Sequence, residues 1–265
     1  MMDSVTYTLF DPTGNRTLLV ETPIPIEEQP AVAGKLMALE PETEQVGFVS
    51  TAGEGVVLRM AGGEFCGNAT MSAAALCLKQ KERREGTVTV SVSGAKEPVP
   101  VTISSCSENV WDGTVQMPSA LSVEEKSLPQ SGPFPVVRFP GITHVILENS
   151  TLIGDAERLA PEWCRALGAD ALGLMFLNRE AGTLRPLVWV PVAGTRCWES
   201  SCASGTTAVG AFLFAKTGKA LSLSLRQPGG TLGIAADADG RLLLSGRVRY
   251  LRRAVRQLGK TEDLR

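Results

Sequence analysis

Glu64-Phe65-Cys66-Gly67-Asn68-Ala69-Thr70-Met71-Ser72-Ala73-Ala74-Ala75 and Ser200-Ser201-Cys202-Ala203-Ser204-Gly205-Thr206-Thr207-Ala208-Val209-Gly210-Ala211 are two versions of one pattern. In each, a cysteine is followed by small or polar residues and then by an Ala-rich run with helical character. The two cysteines stand about half the chain apart, and a strand-rich stretch precedes each one. The sequence therefore reads as two similar halves, each presenting one cysteine at a helix start.

Outward from these stretches, period-two runs recur at 7–10, 17–21, 56–60, 87–92, 99–103, 114–117, 135–139, 145–147, 187–190, 221–225 and 242–248. Most carry β-branched residues and end at Gly, Pro, Asn or Asp, the signature of strands. Helices are expected at 26–39, 68–81, 155–167 and 204–217, with Pro41 and Gly168 as stops. Many strands with few helices and no strict strand–helix alternation make the class α+β. The polar segment 124–135, with Pro129, Gly132, Pro133 and Pro135, reads as a linker. It divides the chain into 1–123, carrying Cys66, and 124–265, carrying Cys202, with the last strand free to return to the first half. The basic tail from Arg249 reads as a fraying end.

Composition removes several classes of function. The 265 residues are 43% hydrophobic but only 5% aromatic, enough for a small-residue core without disulfide staples. Lys and Arg number 26 against 28 Asp and Glu, so the basic field that a phosphate backbone demands is missing. No apolar run reaches the ~20 residues of a membrane span, and residues 1–5 do not resemble a signal peptide. The expected setting is cytoplasmic, with no nucleic acid and no membrane as partner; a homodimer is compatible with all of this. The single histidine, His144, rules out a multi-histidine metal centre. The six cysteines lack CxxC spacing, and Cys197 and Cys202 have no further ligands beside them, so no metal is expected. No lysine sits in a recognisable Schiff-base setting, so pyridoxal phosphate is not expected either.

A cysteine in the first turn of a helix meets the positive end of the macrodipole and unpaired N–H groups. There the thiol pKa is expected to fall and a thiolate to become available. Gly67, Asn68, Ala203, Ser204 and Gly205 are small enough to let a carboxylate approach their N–H groups. Two such sites suit deprotonation of a carbon next to a carboxylate from one face and reprotonation from the other. One cysteine serves as thiolate base and the other as thiol acid. Arg196 and Glu199 flank the second cysteine and are candidates to bind the substrate's amino group or side chain. Cys77, Cys106 and Cys164 read as core. His144 reads as a strand-start histidine bonded to nearby backbone.

The runs 65–69 and 202–206 resemble the two catalytic-cysteine motifs of the diaminopimelate epimerase-like, pyridoxal-independent racemases. The similarity extends over most of the chain. Gly14-Asn15 is similar to the family's Gly-Asn turn and Glu44-Gln45 to its Asp-Gln segment, which implies substrate contacts for Asn15 and Gln45. The stretch 141–145 is similar to its Gly-Asn-Pro-His segment. The implied fold is two pseudo-symmetric halves, each a β-sheet wrapped around a central α-helix. The implied activity is cofactor-independent inversion of an amino acid at its α-carbon.

Arg59-Met60-Ala61-Gly62-Gly63 and Ile142 stand where diaminopimelate epimerases carry polar residues for the substrate's second charged end. The expected substrate is therefore a small amino acid with one polar or ring side chain, as in the histidine racemases of this group. Diaminopimelate itself is the alternative. Two rival readings remain: an isomerase of the phenazine-biosynthesis type with Glu64 as its carboxylate, and a binding module with inert cysteines.

Overall fold

The computed structural model describes residues 4–52 and 55–258. The chain divides into two compact units, Gln116–Ser245 and Met1–Val115 together with Gly246–Arg265.

The first unit opens with β1 (Val5–Pro12), β2 (Thr17–Val20), α1 (Gln29–Leu39), β3 (Gln45–Ala52) and β4 (Gly55–Met60). It continues with α2 (Gly67–Gln80), β5 (Glu85–Val92), β6 (Val99–Ser107) and β7 (Val110–Gln116). The second unit carries β8 (Ser122–Ser127), β9 (Pro133–Phe139), β10 (Ile142–Glu148), α3 (Ala156–Leu167), β11 (Leu172–Asn178), β12 (Thr183–Val190) and β13 (Thr195–Trp198). After these come α4 (Ala203–Thr217), β14 (Leu221–Gln227), β15 (Gly230–Ala236) and β16 (Leu242–Arg256), whose later residues belong to the first unit.

In the first unit, β1 through β7 are neighbours in chain order. β16 follows β7 and pairs back onto β1, which closes an eight-stranded barrel. Helix α2 packs on all of β1 to β6, and every residue from Gly67 to Leu78 is buried. A helix apolar or small on every side is one enclosed by its surroundings. Ala69, Ala73, Ala74 and Ala75 keep it slim enough for that position. Outside the barrel, Ala33 and Leu36 of α1 cover Tyr7, Leu18, Val20, Val46 and Phe48.

In the second unit the strands run β8-β9-β10-β11-β12-β14-β15-β16, with β13 also on β12. Helix α4 packs on β8 to β11, β14 and β15, while α3 lies on β11 and β12. Trp163 of α3 is completely buried among Leu147, Leu172, Leu174 and Leu187.

The pairing directions repeat. From β1 to β7 they run antiparallel, parallel, antiparallel, parallel, antiparallel, antiparallel. The same series runs through β9, β10, β11, β12, β14, β15 and β16. In each unit this brings one strand-to-strand turn, the start of the third strand, the end of the fourth and the start of the central helix to the same end. No helix among the described residues is long and apolar enough to cross a membrane.

Four sequence expectations change. The segment 124–135 is no linker: Glu124 to Ser127 pair with Val136 to Pro133, so Pro129 and Gly132 lie in a hairpin turn while Pro133 and Pro135 are strand residues, and Leu128 is buried at the turn. The tail from Arg249 is ordered strand, paired with β1 as far as Val5↔Arg256. Its arginines meet carboxylates: Arg252 and Arg256 hold Glu40, and Arg253 holds Glu21 at 2.9 Å. Strands β3 and β11 carry no clean alternation and escaped the period-two reading. Six of the seven residues of β11 are buried, as befits a strand lying parallel to its neighbour under a helix. Cys77 and Cys164 are core, but Cys106 is exposed, because the irregularity between Ser105 and Ser107 turns it outward.

Candidate active site

Cys66 is the N-cap of α2, with extended backbone (φ −130°, ψ 111°), and its Sγ accepts the Ala69 N–H at 3.5 Å. Its carbonyl takes the Thr70 N–H at 2.9 Å and the Thr70 hydroxyl at 2.7 Å, which pins the first turn. The loop ahead is held too: Ser93 Oγ donates to the Glu64 carbonyl at 2.8 Å and accepts the Met60 N–H at 2.9 Å. The thiol itself is half-buried.

The same end of the first unit carries the other residues picked from sequence. Asn15 follows the turn out of β1, is 2% exposed, and donates from Nδ2 to Glu44 at 2.8 Å. Gln45 opens β3 in register with Thr17, and Ala61, just past β4, bonds to the Val46 carbonyl. Asn68 is the second residue of α2 and is also 2% exposed. The Oδ1 atoms of Asn15 and Asn68 are both buried without a hydrogen-bond donor. Leaving such acceptors empty costs about 1–3 kcal/mol each, and both can take a hydrogen-bond donor.

Cys202 caps α4 in the same way (φ −120°, ψ 108°), with Sγ accepting the Gly205 N–H at 3.3 Å and its carbonyl taking the Thr206 hydroxyl at 2.7 Å. The carbonyl two residues ahead of it, on Ser200, is held by the Gly229 N–H at 2.7 Å, as Glu64 is held by Ser93. Here the surroundings diverge. Gln227 bridges the turn, accepting the Cys202 N–H at 2.9 Å and donating to Thr206 Oγ1 at 2.7 Å. Burial, reinforced by the Glu199 carboxylate, pushes the Cys202 thiol well above the usual thiol range, despite opposing help from Ser204 and the Gly205 N–H. The expectation that both thiols are lowered by their helix starts fails at Cys202, because desolvation outweighs the dipole there.

Beneath that helix start, His144 is fully buried with neither ring nitrogen hydrogen-bonded, which overturns its reading as a backbone-bonded histidine. Its pKa is lowered to about 3 by burial, so it is neutral at ordinary pH. It sits edge-on to Phe139 and over Gly173, where a Cβ would lie 2.2 Å from Nδ1. Gly205 is equally obligatory, since a Cβ there would meet Met175 Sδ at 2.1 Å and Cys202 Sγ at 3.2 Å. Met175 and Gln227 are the residues that sequence reading missed. The bare Gly173 and Gly205 that face Met175 were its only signal, and Gln227 had none.

Ala203 and Ser204 are the first two residues of α4, and Ser204 Oγ lies 3.5 Å from the Cys202 thiol. Gly67 is the buried first residue of α2. Arg196 is placed differently: it lies on β13, pairs with Glu157 of α3, and is thus held on the outer face. Chemically, each unit offers a sulfur atom at the start of a buried helix, ringed by N–H groups suited to an anion.

The family model described as the histidine racemase CntK N-terminal domain matches residues 4–249. A histidine racemase of Fusobacterium nucleatum subsp. nucleatum (strain ATCC 25586) is 30% identical over 263 residues, covering 94% of this chain and 95% of that one. A histidine racemase of Staphylococcus aureus (strain Mu50) is 27% identical over 241 residues, covering 86% and 87%. Among solved structures, a probable proline racemase from Agrobacterium radiobacter K84 with bound carbonate shares the fold, at TM-score 0.68, 13% identity, and coverage of 98% and 94%.

Proposed function

The chain belongs to the family of the histidine racemase CntK N-terminal domain, and from that premise we propose that it inverts histidine at the α-carbon without a cofactor, by a two-base thiolate/thiol mechanism. The observation that carries the reading is the pair of equivalent caps: Cys66 on α2 and Cys202 on α4, each with Sγ on the N–H three residues on. We take the fold as the diaminopimelate epimerase-like one, its halves being the units Met1–Val115 with Gly246–Arg265 and Gln116–Ser245 in place of the 1–123 and 124–265 drawn from sequence. The setting proposed is cytoplasmic.

In the proposed reaction the Cys66 thiolate removes the α-proton from one face, forming an S–H bond as the Cα–H pair collapses toward the carboxylate. The Cys202 thiol then donates its proton to the opposite face and is left as thiolate. The reverse direction exchanges the roles. Burial beside Glu199 suits Cys202 to hold the proton at rest. In the first unit the N–H groups of Gly67 and Asn68, and in the second those of Ala203 and Ser204, are assigned to anion binding, where fixed dipoles stabilise developing negative charge. The empty Oδ1 atoms of Asn15 and Asn68 suit the ammonium group, and Gln45 and Glu199 are proposed as further polar contacts. Arg196, committed to Glu157, is left out of the substrate contacts.

The test is a panel of L-amino acids in D₂O, with α-deuterium followed by proton NMR and enantiomers separated by chiral chromatography. Histidine is expected to exchange and racemise fastest, with LL-diaminopimelate at least about 10²-fold slower, since its second charged end finds no partner. If LL-diaminopimelate exchanges faster than histidine, the substrate assignment fails and the epimerase alternative takes its place.

A further inference from the structure

The second unit has a groove at the opposite end of its sheet from Cys202. Cys202 and the start of α4 lie where β10 and β11 begin and β12 ends. The groove lies where β10 and β11 end and β12 begins. One chamber is about 420 Å³, floored by the buried side chains of Leu147 and Phe176, walled by Ile153 and rimmed by Asn149, Asn178 and Arg185. Past Ile153 and Arg185 it continues into a second chamber of about 480 Å³ beside Glu157, Arg158 and Trp198. These sizes fall in the range of small-molecule sites.

One charged group in this groove is left over. Arg158 pairs with Asp155 at 3.2 Å, Arg179 with Glu148 at 3.4 Å and Arg196 with Glu157 at 3.7 Å. Arg185 has only an aromatic face: its guanidinium lies 4.7 Å over the Trp198 ring, which in turn rests 5.8 Å from Phe176. Trp198 is fixed by donating from Nε1 to Glu157 at 2.9 Å. Among the described residues no carboxylate pairs with Arg185, so a stacked, oriented guanidinium faces the groove with its hydrogen-bonding edge unclaimed. Such a fork matches a carboxylate in two-point geometry. The apolar floor beside it suits a flat hydrocarbon body, and the Asn149 and Asn178 amides suit a polar edge. A phosphate fits less well, because only one cation is unclaimed and the floor is apolar.

We propose that this groove is a second ligand site, separate from the cysteines, for a small planar aromatic carboxylate held through Arg185. Its occupant would lie against the segment that leads into Cys202. Trp198 is four residues upstream, and the Glu199 N–H is anchored on the Pro186 carbonyl next to Arg185 at 3.1 Å.

The test uses benzoate as probe and the full chain, followed by saturation-transfer NMR. Benzoate is expected to bind saturably with a Kd of about 1–10 mM, the range open to so small a ligand. Arg185→Gln, at an exposed position, should weaken it about tenfold or more. Saturating L-histidine should leave it in place, and equimolar inorganic phosphate should not displace it. Absence of saturation, equal binding to the Arg185→Gln variant, displacement by L-histidine or displacement by phosphate would each overturn the proposal.

Discussion

The starts of α2 and α4 are the same backbone device in two different environments. Both cysteines cap their helices through Sγ to the third N–H, and both carbonyls are tied by a threonine hydroxyl at 2.7 Å. In the first unit buried acceptors stand empty on Asn15 and Asn68, and in the second Ser201 Oγ and both ring nitrogens of His144 are likewise buried without a partner. Around Cys202 the turn is closed by Gln227, and the thiol is only 4% exposed beside a carboxylate. The same capping geometry does not by itself lower a thiol: at Cys202 burial and the Glu199 carboxylate outweigh the dipole.

The largest effect expected from breaking this pairing is catalytic. Cys66→Ser and Cys202→Ser should each lower racemisation about 10³-fold, since each removes a general acid–base group. The sharper outcome is an asymmetry. Cys202→Ser should still wash solvent deuterium into one enantiomer of histidine without inverting it, because Cys66 still works its own face. Equal exchange into both enantiomers would show that the two cysteines do not serve opposite faces.

Next comes a difference in acid stability, since only the second unit keeps a buried histidine under its helix. His144 has a folded pKa of about 3 against 6.5 in the unfolded chain. Between those values the unfolded chain takes up a proton that the folded chain refuses, so stability falls as pH drops through that window. The full loss is on the order of 5 kcal/mol. Urea denaturation at pH 7, 5 and 4 should show this slope in the wild type, and His144→Leu should remove it. An unchanged slope in the variant places the titration elsewhere.

A smaller effect separates the third helix residue of the two caps, Ala69 in α2 and Gly205 in α4. Gly205→Ala drives a methyl into Met175 and should cost about 1–3 kcal/mol, much of it recovered when Met175→Ala is added. Ala69→Gly meets no such contact and should cost under about 1 kcal/mol. Thermal melts of the three variants measure both. The smallest expected effect is at Glu199. Removing its charge with Glu199→Gln should bring the Cys202 thiol pKa down and speed iodoacetamide labelling of that cysteine a few-fold at pH 8. Peptide mass spectrometry should find Cys66 labelling unchanged; no acceleration at Cys202 would remove the carboxylate from the account.

How far the sequence carried depended on whether a feature was local. The two caps are local, and the pattern of cysteine, small residues and Ala-rich run located both within a residue. Alternating strands such as β5 and β6 were equally readable, since one face of each meets α2. Strand β11 was not, because its neighbours on both sides erase the alternation. The hairpin of β8 and β9 was misread because proline and glycine mark a turn and a linker alike, and only pairing tells them apart. At the site, Asn68 was reached through the helix-start pattern, and Asn15 and Gln45 through resemblance. Gln227 and Met175 meet Cys202 and Gly205 only through the folding of distant segments. Arg196 was misjudged because a charged residue beside a cysteine in sequence points, on a strand, to whichever face the register dictates.

Strand β16 starts in one unit and ends in the other, and this sets an order of events on the ribosome. Residues 116–245 hold everything the second unit needs once Ser245 has been made. The first unit, although synthesised earlier, waits for residues 246–256 to supply its eighth strand. The N-terminal half therefore spends most of translation with an open seam on β1, a long edge apt to pair with another nascent chain. A message truncated just before the codon for Gly246 would leave the second unit its complete contiguous segment and leave the first without its eighth strand.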